Sequence, residues 1–174
     1  MTVRCFVDTN VLVYARDSRE PIKQARAAEW IELLWREGAG RTSAQVLSEY
    51  YSVVTRRLIP RVSPDEAWDD ARMLFAWDPQ PIDAMLLARA REIEQRWRLS
   101  WWDSMVVAAA QLQGCPLLLT EDLQDGAQYG GVTVHSPFTH GVREPVPAYA
   151  VAPTVRPRHR GRGRPRKQLA PAAA

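Results

Sequence analysis

Apolar positions along the chain fall into two kinds of block. Short, mainly apolar runs at Val3–Val7, Pro116–Leu119 and Val132–Val134 have the length and composition of buried strands. Weaker strand signals lie at Gly40–Thr42 and Pro79–Ile82. Between them, apolar residues recur at helical spacing. Pro21 opens a helix that runs to Glu37 and stops at Gly38. Ser43 is placed to cap a helix over Ala44–Leu58, which ends before Pro60. Ser63-Pro64-Asp65-Glu66 starts a helix through Phe75, Asp83 caps one reaching Arg98, and another covers Trp102–Gln113 before Gly114. A short helical turn is expected over Asn10–Ala15.

This alternation of short apolar strands with longer amphipathic helices predicts an α/β fold, a parallel sheet covered by helices on both faces. Sites in such sheets form beyond the carboxyl ends of the strands. Asp8 follows the first strand, and Glu121 and Asp122 follow the strand Pro116–Leu119.

Four acids sit where a purely structural chain has little use for them. Asp8 interrupts two apolar segments. It would serve as a helix cap, but Asn10 is better placed for that task, which leaves Asp8 spare. Glu49 shares a helix face with Val46 and Val53, beside the apolar stripe Val46, Tyr50, Val53 and Val54. A carboxylate there must be paired, protonated or bound to a cation. Asp103 stands at capping-box spacing from Ser100, yet Val106, Val107 and Ala110 follow on its own face. Asp122 follows LLLT, with Glu121 and Asp125 as neighbouring alternatives. Crowded carboxylates repel, and a hard divalent cation, Mg²⁺ or Mn²⁺, removes the conflict. The three histidines come late and both cysteines lie in core-like runs, which argues against zinc. No Walker or glycine-rich phosphate loop is present. The chemistry that fits is hydrolysis of a phosphodiester by water.

Charge divides the chain. The net +3 is the sum of −4 over residues 1–141 and +7 over residues 142–174. The second segment is rich in proline and arginine, lacks apolar periodicity, and is expected to be a disordered tail on a domain of residues 1–141. Within it, RHRGRGRPRK at 158–167 contains Arg162-Gly163-Arg164-Pro165, which resembles an AT-hook. Arg160, Arg162, Arg164, Arg166 and Lys167 are candidate nucleic-acid contacts, to DNA or to RNA phosphates. The absence of a signal peptide, a disulfide pattern or a membrane-length apolar run points to a soluble, cytoplasmic protein.

Taken together, FVDTNVLVYA at 6–15, SAQVLSEYYSVVTRR at 43–57, WWDSMVVAAA at 101–110 and LLLTEDLQDG at 117–126, followed by VHSPF at 134–138, resemble the PIN-domain family, and within it the VapC-type toxins of bacterial toxin–antitoxin pairs. The resemblance covers nearly all of residues 3–138. It implies a three-layer α/β/α sandwich with a central parallel sheet and a metal-dependent endoribonuclease. Residue by residue, the family's four acids fall on Asp8, Glu49, Asp103 and Asp122. Its small polar residues near the metal fall on Thr9, Asn10 and Thr120. It further implies Mg²⁺ or Mn²⁺, an RNA substrate, a cognate antitoxin and a homodimer, for which the aromatic and aliphatic helices over 21–58, with Trp30 and Trp35, offer a surface. Two rivals remain: a non-catalytic nucleic-acid binder acting through the basic tail, and a PIN nuclease without an antitoxin.

Overall fold

The structure, a computed structural model, describes residues 3–139 and 142. Of the basic segment 142–174 only Val142 is described, packed against the core; its five candidate contacts lie outside the described residues. The described residues form five strands: β1 (Cys5–Val7), β2 (Gly40–Arg41), β3 (Leu117–Leu119), β4 (Gln128–Tyr129) and β5 (Val132–His135). Six α-helices accompany them: α1 (Thr9–Tyr14), α2 (Pro21–Glu37), α3 (Ala44–Arg56), α4 (Pro64–Met73), α5 (Ala84–Trp97) and α6 (Trp101–Leu112). The strand order is β2-β1-β3-β5-β4. All pairs are parallel except β4 with β5.

The order explains the layering. From β1 the chain crosses to β2 on one side and later returns to β3 on the other. Right-handed crossovers in opposite directions send their helices to opposite faces of the sheet. Every residue of β1 and β3 is consequently buried, as the apolar runs require. Helix α6 is buried without interruption from Ser104 to Ala110 and serves as the innermost helix of its layer. Among the described residues no helix is long and apolar enough to cross a membrane.

Local signals set the helix limits. Ser63 and Glu66 form a reciprocal capping box on α4. Ser43, Asp83 and Ser100 each accept a backbone N–H as N-caps of α3, α5 and α6. Gly38 closes α2 in the left-handed conformation.

Three expectations need correction. The helix expected through Phe75 ends at Met73 and tightens into a 3-10 turn over Leu74–Trp77. The segment Pro79–Ile82 makes only one bridge, Gln80 to Ser43, because its two prolines remove ladder donors. The sheet is not wholly parallel: β4 pairs antiparallel with β5 through a two-residue Gly130-Gly131 turn in which both glycines have positive φ.

Gly40 is where the packing is tightest. A Cβ added there would come within 2.4 Å of Cε2 of Trp77, which is buried and packs against Trp35, the ring centroids 5.2 Å apart and the planes tilted by 44°. Gly40→Ala is therefore expected to cost about 1–3 kcal/mol through overpacking, measured as a lower denaturation midpoint with an unchanged m-value.

Candidate active site

The order reversal between β1 and β3 creates a crevice at their carboxyl ends, and the polar residues converge there. Val7 pairs with Leu119 in register. The next residue on each strand is Asp8 and Thr120, so the register sets them side by side. The Asp8 N–H donates to Leu119 O at 3.1 Å and the Thr120 N–H to His135 O at 3.2 Å, which fixes both backbones.

Asp8 is 7% exposed. Its Oδ1 accepts from the Thr9 N–H at 2.7 Å, and its Oδ2 accepts from the Thr120 hydroxyl at 2.8 Å and the Asn10 amide at 3.3 Å. Asp8, rather than Asn10, is thus the N-cap of α1. The sequence expectation was wrong on this point because Asn10 already lies inside the helix, where its amide reaches back to the strand ends. The Thr120 hydroxyl is saturated: it donates to Asp8 and accepts from the Asn10 amide at 2.9 Å and the Asp122 N–H at 3.1 Å. Asn10 Oδ1, by contrast, is buried and accepts no hydrogen bond.

Glu49 enters from α3, half-buried. Its Oε2 accepts from the Thr9 hydroxyl at 3.1 Å and its Oε1 from the Gln45 amide at 3.1 Å. A chain of contacts therefore runs Gln45–Glu49–Thr9–Asp8–Thr120–Asn10. The sequence reading missed Gln45, although it lies one helical turn before Glu49 and is itself buried, a polar residue on an apolar face.

Three acids follow β3, and their contacts differ. Glu121 pairs with Lys23 at 2.6 Å; the same ammonium takes the Tyr14 hydroxyl at 3.0 Å and lies over the Tyr14 and Phe138 rings. Asp125 accepts the Ser136 N–H at 2.8 Å and ties the loop to β5. Asp122 is the one whose charge acts on Asp8.

Asp103 stands in the first turn of α6, half-buried. The Ser100 hydroxyl accepts its N–H at 3.1 Å and donates to its Oδ2 at 2.6 Å, so the capping role is realised. Its charge, after burial, helps raise the Tyr129 hydroxyl. The described contacts join Asp8, Glu49, Asp122, Thr9, Asn10 and Thr120. They do not join Asp103 to that set.

The electrostatics follow from burial. Desolvation pushes the Asp8 carboxyl from its usual value up to about 7; the bonds from Thr120 and Thr9 oppose this, and the charges of Asp122 and Glu49 add to it. Among the described residues Asp8, Glu49 and Asp103 form no ion pair. The donors gathered here are all oxygen, with one orphaned amide oxygen among them, and this suits a hard divalent cation. Among the described residues, however, no three His, Cys, Asp or Glu groups stand close enough to hold an ion as they lie. Zinc finds no support: Cys5 and Cys115 are buried thiols, with Cys115 pushed up to about 12 by burial.

A carboxyl whose pKa is higher folded than unfolded binds more protons in the folded state between those two values. Stability then falls as pH rises from about 4 to about 7. In EDTA, the melting temperature is expected to drop across that range, and Asp8→Asn to flatten the drop and exceed the parent at pH 7. Thermal denaturation of both proteins at several pH values measures it.

No curated protein matches the chain in sequence. The chain is similar to a solved toxin–antitoxin complex from Klebsiella pneumoniae, at 19% identity and a TM-score of 0.56, over 76% of this chain and 97% of that one. It is also similar to VapBC2 from Rickettsia felis bound to a DNA fragment from its promoter, at 14% identity and a TM-score of 0.52, over the same shares of 76% and 97%. At such identities the likeness is one of fold. A PIN domain family model matches residues 5–124, more than half of the 174-residue chain, and so the protein belongs to the PIN domain family.

Proposed function

We propose that this protein is a Mg²⁺- or Mn²⁺-dependent endoribonuclease of the VapC toxin type. The observation that carries the reading is the buried Asp8 carboxylate, raised by burial and by Asp122 and Glu49, with no cationic side chain paired to it among the described residues. A carboxylate is costly to keep there unless a cation uses it.

In this reading Asp8, Asp103, Glu49 and Asp122 hold the cation, directly or through water. When bound, the cation supplies the Lewis acidity that makes water a nucleophile near neutral pH and offsets charge on the phosphate. The protein's own groups set the geometry. Thr120 and the Thr9 N–H fix the Asp8 oxygens, Thr9 and Gln45 aim Glu49, and Ser100 fixes Oδ2 of Asp103. Asn10 Oδ1, buried without a hydrogen-bond partner, keeps its acceptor capacity. A buried, acidic crevice does not attract RNA by itself, because its charge repels phosphate. The basic tail supplies that attraction, through Arg160, Arg162, Arg164, Arg166 and Lys167, and would extend it to A·T-rich DNA.

An antitoxin is the partner this reading expects, and solved neighbours of the same fold are toxin–antitoxin complexes. An apolar groove of about 140 Å³ between α1, α2, α3 and α4 suits an apolar segment; Leu12, Ile31, Trp35, Met73 and Leu74 line it, and the Arg16–Asp70 ion pair borders it. Trp35 and Met73 are 39% and 62% exposed, whereas Trp30 is a core residue. We place the partner, antitoxin or second copy, on this face.

The test is cleavage of structured RNA with Mg²⁺ or Mn²⁺, with and without EDTA. Asp8→Asn and Asp103→Asn are each expected to lower the rate by about 100-fold or more, beyond the roughly 10–100-fold that supporting residues cost. Cleavage that survives EDTA and both substitutions would remove the proposal. Tight, salt-sensitive nucleic-acid binding without any cleavage would favour the non-catalytic reading.

A further inference from the structure

A second polar cleft lies away from the acids. Its volume is about 390 Å³, and Arg4, Arg41, Asp78, Pro79, Gln80, Pro81, Gln113 and Gly114 contribute to its lining. Arg4 immediately precedes β1, Arg41 closes β2 and Gly114 leads into β3. Arg4 and Asp8 are four residues apart on an extended strand, roughly 13 Å, so this cleft and the acidic crevice occupy opposite ends of β1.

Three features mark it. Two guanidinium groups face one cavity, and among the described residues neither forms an ion pair. Arg4 Nη1 donates to Gln113 O at 3.2 Å and Arg41 Nη1 to Gly40 O at 2.6 Å. These bonds orient each group and occupy one of its two terminal nitrogens, while the guanidinium carries five donors in all. Both charges also act on the buried Cys115 thiol, drawing its pKa down against burial, so the two fields overlap. Second, Gln113 has a buried amide oxygen without a hydrogen-bond partner, while its amide nitrogen donates to Asp78 O at 2.5 Å. Third, that bond helps hold Asp78, a residue of the cleft's lining, at φ 51, a left-handed conformation uncommon outside glycine.

We propose that this cleft binds a nucleotide phosphate, with Arg4 and Arg41 as the phosphate donors and Gln113 and Asp78 as acceptors for the ribose hydroxyls. Paired arginines present the planar donor forks that phosphate oxygens match. The acceptors answer the hydroxyls that accompany phosphate in a nucleotide. The volume lies within the range of about 300–1,000 Å³ usual for small-ligand sites. The source is either a free mononucleotide or one nucleotide of an RNA chain, and the site does not depend on the nuclease reading.

Calorimetric titration in EDTA, on the full chain, tests it with three probes: inorganic phosphate, a 5′-mononucleotide and a short 2′-O-methyl RNA that cannot be cleaved. At least one probe is expected to bind, and its affinity to fall about tenfold or more in Arg4→Gln and in Arg41→Gln. Arg4 is exposed, so its variant keeps the fold. Asp78→Asn is expected to tighten inorganic phosphate and weaken the mononucleotide. Binding of the mononucleotide assigns a free ligand, and binding of RNA alone assigns the chain. No binding of any probe at millimolar concentration, or affinities unchanged in both arginine variants, would overturn the proposal.

Discussion

The structure turns on one pairing: β1 lies parallel to β3 in a register that sets Asp8 beside Thr120. Nothing else about the crevice can be moved without moving that pair. The backbones are fixed by ladder bonds to Leu119 and His135, and the side chains by a hydroxyl with no spare capacity. A one-residue slip in the register would turn Asp8 to the opposite face and bury the charge in the core. The runs themselves, apolar and buried at every position, carry no alternation to fix the register; the polar contacts of Asp8 and Thr120 at the strand ends are what oppose the slip.

That pairing also explains why a burial cost is tolerated. Asp8 accepts three hydrogen bonds, which favour its charged form, yet desolvation outweighs them and the neighbouring acids push the same way. An isolated domain gains nothing from such an arrangement. It makes sense as strain held by a rigid scaffold for use by a ligand. The surroundings are disposed accordingly: of the three acids after β3, Glu121 is neutralised by Lys23 and Asp125 accepts the Ser136 N–H, while Asp122, with Glu49 from α3, acts on Asp8.

Much of this was legible from residues alone, for reasons that can be named. Punctuation by Pro21, Gly38, Ser43, Ser63 and Asp83 located the helices, since caps and breakers act locally. The β-α alternation implied that Asp8 and the TED segment share a sheet edge. What failed was less local. The β4 strand has only two residues, too few for a period, and its one signal was the Gly130-Gly131 turn. Asp8 against Asn10 as the cap depended on where α1 begins, and boundaries shift by a residue or two. The Lys23–Glu121 pair was invisible because its contact spans the fold, the two residues being 98 apart in sequence, whereas Gln45, one helical turn before Glu49, carried a local signal that was passed over. Asp103 shows the opposite limit. Its capping role was read correctly from spacing, and spacing says nothing of how far its carboxylate stands from Asp8.

In the proposed function these carboxylates, distant in sequence, serve one divalent ion. Mn²⁺ titration followed by electron paramagnetic resonance tests it most directly, in the absence of any nucleic acid. Saturable binding is expected, strengthening as pH rises through 7, as Asp8 loses its proton, and disappearing in Asp8→Asn. Binding that is absent at millimolar Mn²⁺, or that persists undiminished in Asp8→Asn, would contradict it.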